Sequence, residues 1–180
     1  MRQAGVLAPR FNGRQLKVIR SEREKQVATI QSIQDFLGLK RLAVVGVSHD
    51  PRDFTRSLFR ELLQRGYDLV PVNPNLSEVE GLKCFAHIQD VSPPVEGALL
   101  LTKPAVTETV VEDCAQAGVR RVWMYRAVGA GAVSQGAVLS CQLNSIELVE
   151  GECPFMFLPE TAWPHRLHGF CRKVLGRYPE

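Results

Sequence analysis

No Cys-x-x-Cys pair occurs in this sequence, although it carries five cysteines, Cys84, Cys114, Cys141, Cys153 and Cys171. An odd number without paired spacing argues against a disulfide framework and against a four-thiolate zinc site. It reads as the reduced thiols of a cytoplasmic protein. Long apolar runs are also missing. None approaches the roughly 18–20 residues that a membrane span requires. The basic segment from Met1 to Arg20 has no continuous apolar core, so it does not read as a secretory signal. Pro9 and Asn12-Gly13 argue against a long amphipathic presequence helix there. Internal repeats and low-complexity stretches are absent.

What is present suits one domain with short extensions. The chain has 180 residues, enough for a sizeable core. Its apolar fraction of 45% is an ordinary globular value and argues against disorder. The net charge of +3 is unevenly spread, with nine Lys or Arg against three Asp or Glu before residue 42. Such an arm can meet an acidic surface or a neighbouring subunit, or simply be solvated against its own domain. The mildly acidic remainder shows no nucleic-acid motif, so no nucleic-acid partner is expected.

Phe11-Asn12-Gly13-Arg14 resembles a tight hairpin turn. Ser21 and Glu24 then have capping-box spacing, followed by Val27, Ile30, Ile33, Phe36 and Leu37 at helical intervals up to Gly38. Beyond Gly38 strands and helices alternate. Leu42-Ala43-Val44-Val45 reads as a buried parallel strand ending at Gly46, and Leu58, Phe59, Leu62 and Leu63 mark a helix stopping near Gly66. Asp68-Leu69-Val70-Pro71-Val72 is a second strand, placed near a sheet edge because Pro71 lacks a ladder donor. Residues 75–96 are irregular, with a short strand near Cys84-Phe85. Ala98-Leu99-Leu100-Leu101 is a third strand. Pro104 opens the next helix, whose apolar face is Val106, Val110, Val111 and Cys114. Strands at 121–125 and 146–149 flank a helix over about 131–142. This β-α-β order predicts a Rossmann-like three-layer α/β/α fold with a mainly parallel sheet, plus an N-terminal helix and a C-terminal helical tail.

Ligands of such sheets sit outside the carboxyl ends of the strands. Those ends are Gly46-Val47-Ser48, Asn73-Pro74 and Thr102-Lys103-Pro104. The first leads into a helix whose free N–H groups favour an anion, with Arg52 and Arg56 at its first turn. Asp50 and Asp53 would cap that helix and partly oppose a phosphate. Three convergent polar loops favour a phosphorylated ligand over an ordinary turn. The dinucleotide fingerprint and its ribose-binding carboxylate are lacking. The turn Gly46-Val47-Ser48-His49-Asp50-Pro51 has one glycine, strand two ends on neutral Asn73, and Asp68 lies at that strand's other end.

The segments Val44-Val45-Gly46-Val47-Ser48-His49-Asp50-Pro51, Gly66-Tyr67-Asp68-Leu69-Val70-Pro71-Val72-Asn73-Pro74 and Gly81 resemble the stand-alone CoA-binding proteins. These are relatives of the N-terminal CoA domain of the succinyl-CoA synthetase α subunit. Val119-Arg120-Arg121-Val122-Trp123-Met124 resembles their later strand, and the likeness covers roughly residues 40–153. The resemblance implies that Gly46, Val47 and Ser48 hold the pyrophosphate of coenzyme A. Asn73 and Pro74 would then lie beside the adenosine part, and Lys103-Pro104 would close the pocket. Thr55 stands where the family usually has glycine, and its hydroxyl could donate to a phosphate. Trp123-Met124-Tyr125-Arg126-Ala127 replaces the family's frequent Trp-x-Gln-x-Gly, which implies a different pocket floor.

Other clusters read as structural. Gly129-Ala130-Gly131 with Gly136 has the spacing of a turn rather than a phosphate loop. His165, His168 and Cys171 share a helical face but lack the further ligands of a metal site. Cys153 reads as a buried cysteine, the alternative being a thiol that forms a mixed disulfide with CoA. His49 is the best candidate acid or base, and as a loop residue it more readily contacts phosphate or water. No Ser-His-Asp set or carboxylate pair can be placed together, and the phosphohistidine domain of succinyl-CoA synthetase has no counterpart. The expectation is therefore a CoA or acyl-CoA binder without its own catalysis. The alternatives are a subunit of an acyl-CoA ligase or transferase, and a NAD(P)-binding redox protein or sensor. The expected organisation is an arm and helix at 1–39, a CoA-binding core at 40–152, and an extension at 153–180. That extension would cover the domain, a homodimer interface or a partner subunit.

Overall fold

The computed structural model describes residues 29–126, 129 and 131–159. The expected hairpin at 11–14 and the His165/His168/Cys171 group lie outside the described residues. Helix α1 spans Ile30–Leu37, and the Ser21/Glu24 capping-box signal likewise lies outside the described residues. Thr29 is extended and forms the capping box with Ser32, accepting the Ser32 N–H at 3.1 Å. The local cap nearest the buried pair Ile33 and Phe36 sets this helix start.

The remaining elements follow the expected alternation, except that the strand expected near Cys84-Phe85 is an isolated bridge at Phe85 and an unanticipated short hairpin precedes it. These elements are β1 (Arg41–Val45), α2 (Phe54–Gln64), β2 (Asp68–Val72), the short hairpin β3 (Glu78–Val79) and β4 (Leu82–Lys83), β5 (Gly97–Leu100), α3 (Pro104–Gln116), β6 (Arg121–Met124), α4 (Gln135–Leu143) and β7 (Glu147–Glu150). Five strands form one parallel sheet in the order β2-β1-β5-β6-β7. β2 is the edge strand expected from Pro71. Phe85 bridges to Val72, the last residue of β2, so the 75–96 segment is anchored beside β2.

Strand alternation divides the core in two. Leu42, Val44, Leu99, Trp123 and Val149 pack towards α1, α2 and a 3-10 turn at Pro154–Met156. Ala43, Val45, Ala98, Leu100, Val122 and Met124 pack towards α3 and α4. The fold is thus the three-layer Rossmann-like arrangement that the sequence predicts. Trp123 is fully buried, with Phe36 edge-on at 5.3 Å and Phe157 at 6.2 Å between ring centroids. Its indole N–H donates to the Glu152 carbonyl at 2.9 Å.

Two helix details differ from the sequence reading. The buried stripe of α3 is Thr107, Val111 and Cys114, whereas Val106 is 49% exposed. Thr107 can take the inner position because its hydroxyl is paired with that of Thr102 at 2.7 Å. Helix α4 starts at Gln135 rather than 131, and Gly131 belongs to the preceding turn with φ +56°. A Cβ at Gly131 would sit 2.4 Å from the Tyr125 carbonyl, so close backbone approach requires this glycine. Burial pushes the Cys114 and Cys141 thiols up to about 12, and Cys84 and Cys153 shift the same way.

Candidate binding cleft

The chain reverses its direction of travel across the sheet between β1 and β5, since β2 lies on one side of β1 and β5 on the other. Open α/β sheets bind ligands at such a switch point. A cleft of about 380 Å³ opens there, beside the carboxyl ends of β1, β2 and β5. Val45, Gly46 and Val72 form its inner end, Asn73, Pro74 and Asn75 one rim, and Thr102 and Lys103 the other. Ala86, His87 and Ile88 add to the lining, as do Val106, Thr109, Val110 and Asp113 of α3.

Gly46 has φ +89°, a left-handed conformation that favours glycine. A Cβ there would lie 2.8 Å from Thr102 Cγ2 and 3.2 Å from the Thr102 nitrogen. The end of β5 therefore lies against this residue, and the glycine is explained by that contact before any ligand is considered. Its N–H donates to the Val72 carbonyl at 3.0 Å, tying β1 to β2.

The turn beyond Gly46 is internally hydrogen-bonded. The Ser48 N–H donates to Thr55 Oγ1 at 2.9 Å, and that hydroxyl donates to Asp53 Oδ1 at 2.6 Å. Asp53 caps α2 by accepting the Thr55 N–H at 2.7 Å. Asp50 accepts from the Arg52 N–H, which, with the Arg52 guanidinium, lowers its carboxyl below the usual range. The Arg56 guanidinium pairs with Glu80 of the β3-β4 turn at 2.8 Å and reaches the Ser48 carbonyl at 3.5 Å. Across the sheet edge, Asn73 joins two loops: its Nδ2 donates to the Val47 carbonyl at 3.0 Å and its Oδ1 accepts the Asn75 N–H at 2.9 Å.

Of the residues singled out from sequence, Gly46, Asn73, Pro74 and Lys103 meet in the cleft, and Pro104 is the first residue of α3 beside it. Val47 is fully buried against the α2 face. Ser48, Thr55 and Arg56 stand around the turn, while the Arg52 side chain is 90% exposed. His49 is exposed on the same turn. Asp68 is paired with Arg41 at the opposite end of the sheet. Tyr125 stacks on Phe54 at 5.0 Å, with Phe155 beyond, so it belongs to the α2 face rather than to the cleft lining. Burial raises its hydroxyl pKa. Cys153 is half-buried, and burial raises its thiol pKa.

Sequence reasoning passed over Ala86, His87, Ile88, Thr109 and Asp113. One signal was available: Lys103, Val106, Val110 and Asp113 recur at helical spacing and form a second stripe on α3, distinct from its buried one. Among the described residues no cluster of His, Cys, Asp and Glu could hold a metal ion, and no helix is long and apolar enough to cross a membrane.

A parallel sheet with its cleft at the switch point defines a Rossmann-like α/β domain. Within that class, the chain belongs to the CoA-binding domain family, whose sequence profile matches residues 40–159. The ADP-forming acetate–CoA ligase II of Archaeoglobus fulgidus is 29% identical over 106 residues, covering 58% of this chain and 16% of that protein. The α subunit of the corresponding Pyrococcus furiosus ligase is 30% identical over 89 residues, covering 48% of this chain and 19% of its own length. The chain thus spans less than a fifth of these curated relatives. Among solved structures, a hypothetical protein from Pyrococcus horikoshii matches with a TM-score of 0.64 at 29% identity, covering 69% of this chain and 85% of that one. A dinucleotide-forming acetyl-coenzyme A synthetase from Korarchaeum cryptofilum, solved with phosphate and ADP, matches at 0.58 and 25% identity, covering 66% and 27% respectively.

Proposed function

We propose that this chain binds coenzyme A or an acyl-CoA in the cleft at the β1-β5 switch point and performs no catalysis of its own. The observation that carries this reading is the chemistry of the cleft. Apolar walls of Val45, Val72, Ile88, Val106 and Val110 meet Lys103 at the start of α3, while the end of β2 presents neutral Asn73. Apolar walls suit a base and ribose, and a lysine beside a helix start suits phosphate. A carboxylate in place of Asn73 would favour the ribose hydroxyls of NAD and repel a phosphorylated ribose. Membership of the CoA-binding domain family supports the same ligand. A cytoplasmic location accords with the free cysteines among the described residues.

Titration calorimetry of the intact protein with CoA, acetyl-CoA, NAD and NADP tests the reading. CoA or its thioester is expected to bind, and the nicotinamide nucleotides are not. Tight NAD binding without CoA binding would sink the proposal.

A second reading follows from the Pyrococcus furiosus relative, which is a ligase subunit. Here the chain supplies the CoA site and a separate subunit supplies the chemistry. Co-purification with an ATP-binding subunit, together with acyl-CoA formation by the pair alone, is the expected outcome. A homodimer with no such partner would favour the simple binder.

A further inference from the structure

The cleft is electrically two-ended. Lys103 stands at the N-terminus of α3, where the helix dipole is positive. Asp113 lines the cleft ten residues further along the same helix, about 15 Å away at 1.5 Å per residue. Between them, Val106 and Val110 line the cleft together with Val45, Val72 and Ile88. A ligand with an anionic end and a flat ring fits this gradient in one direction. Reversed, its phosphate would confront the Asp113 carboxylate.

Asp113 is also held in place. Its Oδ1 accepts from Gln89 Nε2 at 2.7 Å, which fastens the 3-10 turn Ile88–Asp90 to α3 at the far end of the cleft. An ionised carboxylate only accepts, and it offers about four lone-pair sites. The Gln89 brace uses one of them, so the group retains capacity for a further donor. The adenine of coenzyme A carries such a donor on its edge, the 6-amino group.

We infer that Asp113, positioned by Gln89, accepts the 6-amino group of the ligand's adenine, and that the opposition of Lys103 and Asp113 sets the direction in which the ligand lies. This rests on the CoA reading above and adds a specificity residue to it. An Asp113 that merely braced the cleft would affect every ligand alike, whereas a specificity contact acts on one functional group.

The test uses the intact protein and three ligands. These are CoA, adenosine 3′,5′-bisphosphate, and the corresponding bisphosphate of purine riboside, which lacks only the 6-amino group. The wild-type protein is expected to bind the adenine compound about tenfold or more tightly than the purine compound, as for a hydrogen bond to a charged group. Asp113→Asn keeps the shape and an oxygen for Gln89 but removes the charge, and it is expected to bring that ratio below about threefold. Equal wild-type affinities for the two bisphosphates overturn the inference, whatever the variant does. An unchanged ratio in Asp113→Asn overturns it as well. Failure of CoA itself to bind overturns the CoA reading and this inference together, whereas CoA binding with no amino-group preference removes this inference alone.

Discussion

Thr55 occupies the second position of α2, and its hydroxyl has both hydrogen-bonding roles filled within the protein. It accepts the Ser48 N–H and donates to Asp53. The hydroxyl that could have served a phosphate instead satisfies the turn, occupying an N–H that could itself face an anion. Replacing it by the glycine usual in the family should therefore have two effects. Thr55→Gly should destabilise the protein by about 1–3 kcal/mol, from lost hydrogen bonds and glycine's poor helix propensity. It should also tighten CoA binding by freeing the Ser48 N–H. Thermal unfolding and calorimetry measure the two independently. CoA binding weakened tenfold would instead mean that the hydroxyl contacts the ligand. At this scale the sequence was partly legible. Gly46, Asn73 and Lys103 could be picked out because strand ends are easy to find. Arg56 and Asn73 could not be assigned their actual partners, since Glu80 and Val47 approach them only through tertiary packing.

Elements were more readable than their faces. Each parallel strand of the core appears in the sequence as an apolar run, because strands buried on both sides leave few polar positions. The orientation of α3 was harder to read. Val106 looked like core by spacing, yet it lines the cleft, and Thr107 is buried because Thr102 supplies a hydroxyl partner. Glu96 shows a comparable long-range tie at the starts of the strands. It accepts the Lys40 N–H at 2.6 Å and the Arg41 N–H at 3.3 Å, fastening the approach to β5 onto β1. These two N–H groups hold its carboxyl below the usual range. The folded-state pKa is lowered, so its stabilisation is present above the unfolded value and disappears as pH falls through the folded one. Stability should decline as pH drops below about 4.3, and Glu96→Gln should flatten that part of the profile. Denaturation midpoints measured against pH check this, and an unchanged acid limb in the variant would refute it.

The whole molecule extends beyond the core that sequence resemblance outlined. Phe36 of α1 and Phe157 after β7 approach Trp123 from outside residues 40–152, and Ile33, Phe155 and Leu158 are buried on the same face. Each such side chain contributes about 1.5–3 kcal/mol on burial, while a whole domain has only about 5–15 kcal/mol in hand. A chain trimmed to 40–152 should therefore lose cooperative unfolding, whereas one spanning 29–159 should keep it. Trp123 is the sole tryptophan in either piece, so its fluorescence reports the difference directly. Cooperative unfolding of the shorter piece would contradict this account.

The sequence by itself determined the Rossmann-like order, the edge position of β2, and the resemblance to CoA-binding proteins. These depend on local periodicity, on proline's missing donor and on contiguous motifs, all carried by neighbours in the chain. Tertiary structure decided the rest. It brought the 86–88 segment beside Asp113, used Thr55 and Arg56 for internal partners, and placed α1 and the 153–158 segment over Trp123. Each of these joins residues far apart in sequence, and such pairings are set by which faces come together when the sheet is covered rather than by any local pattern.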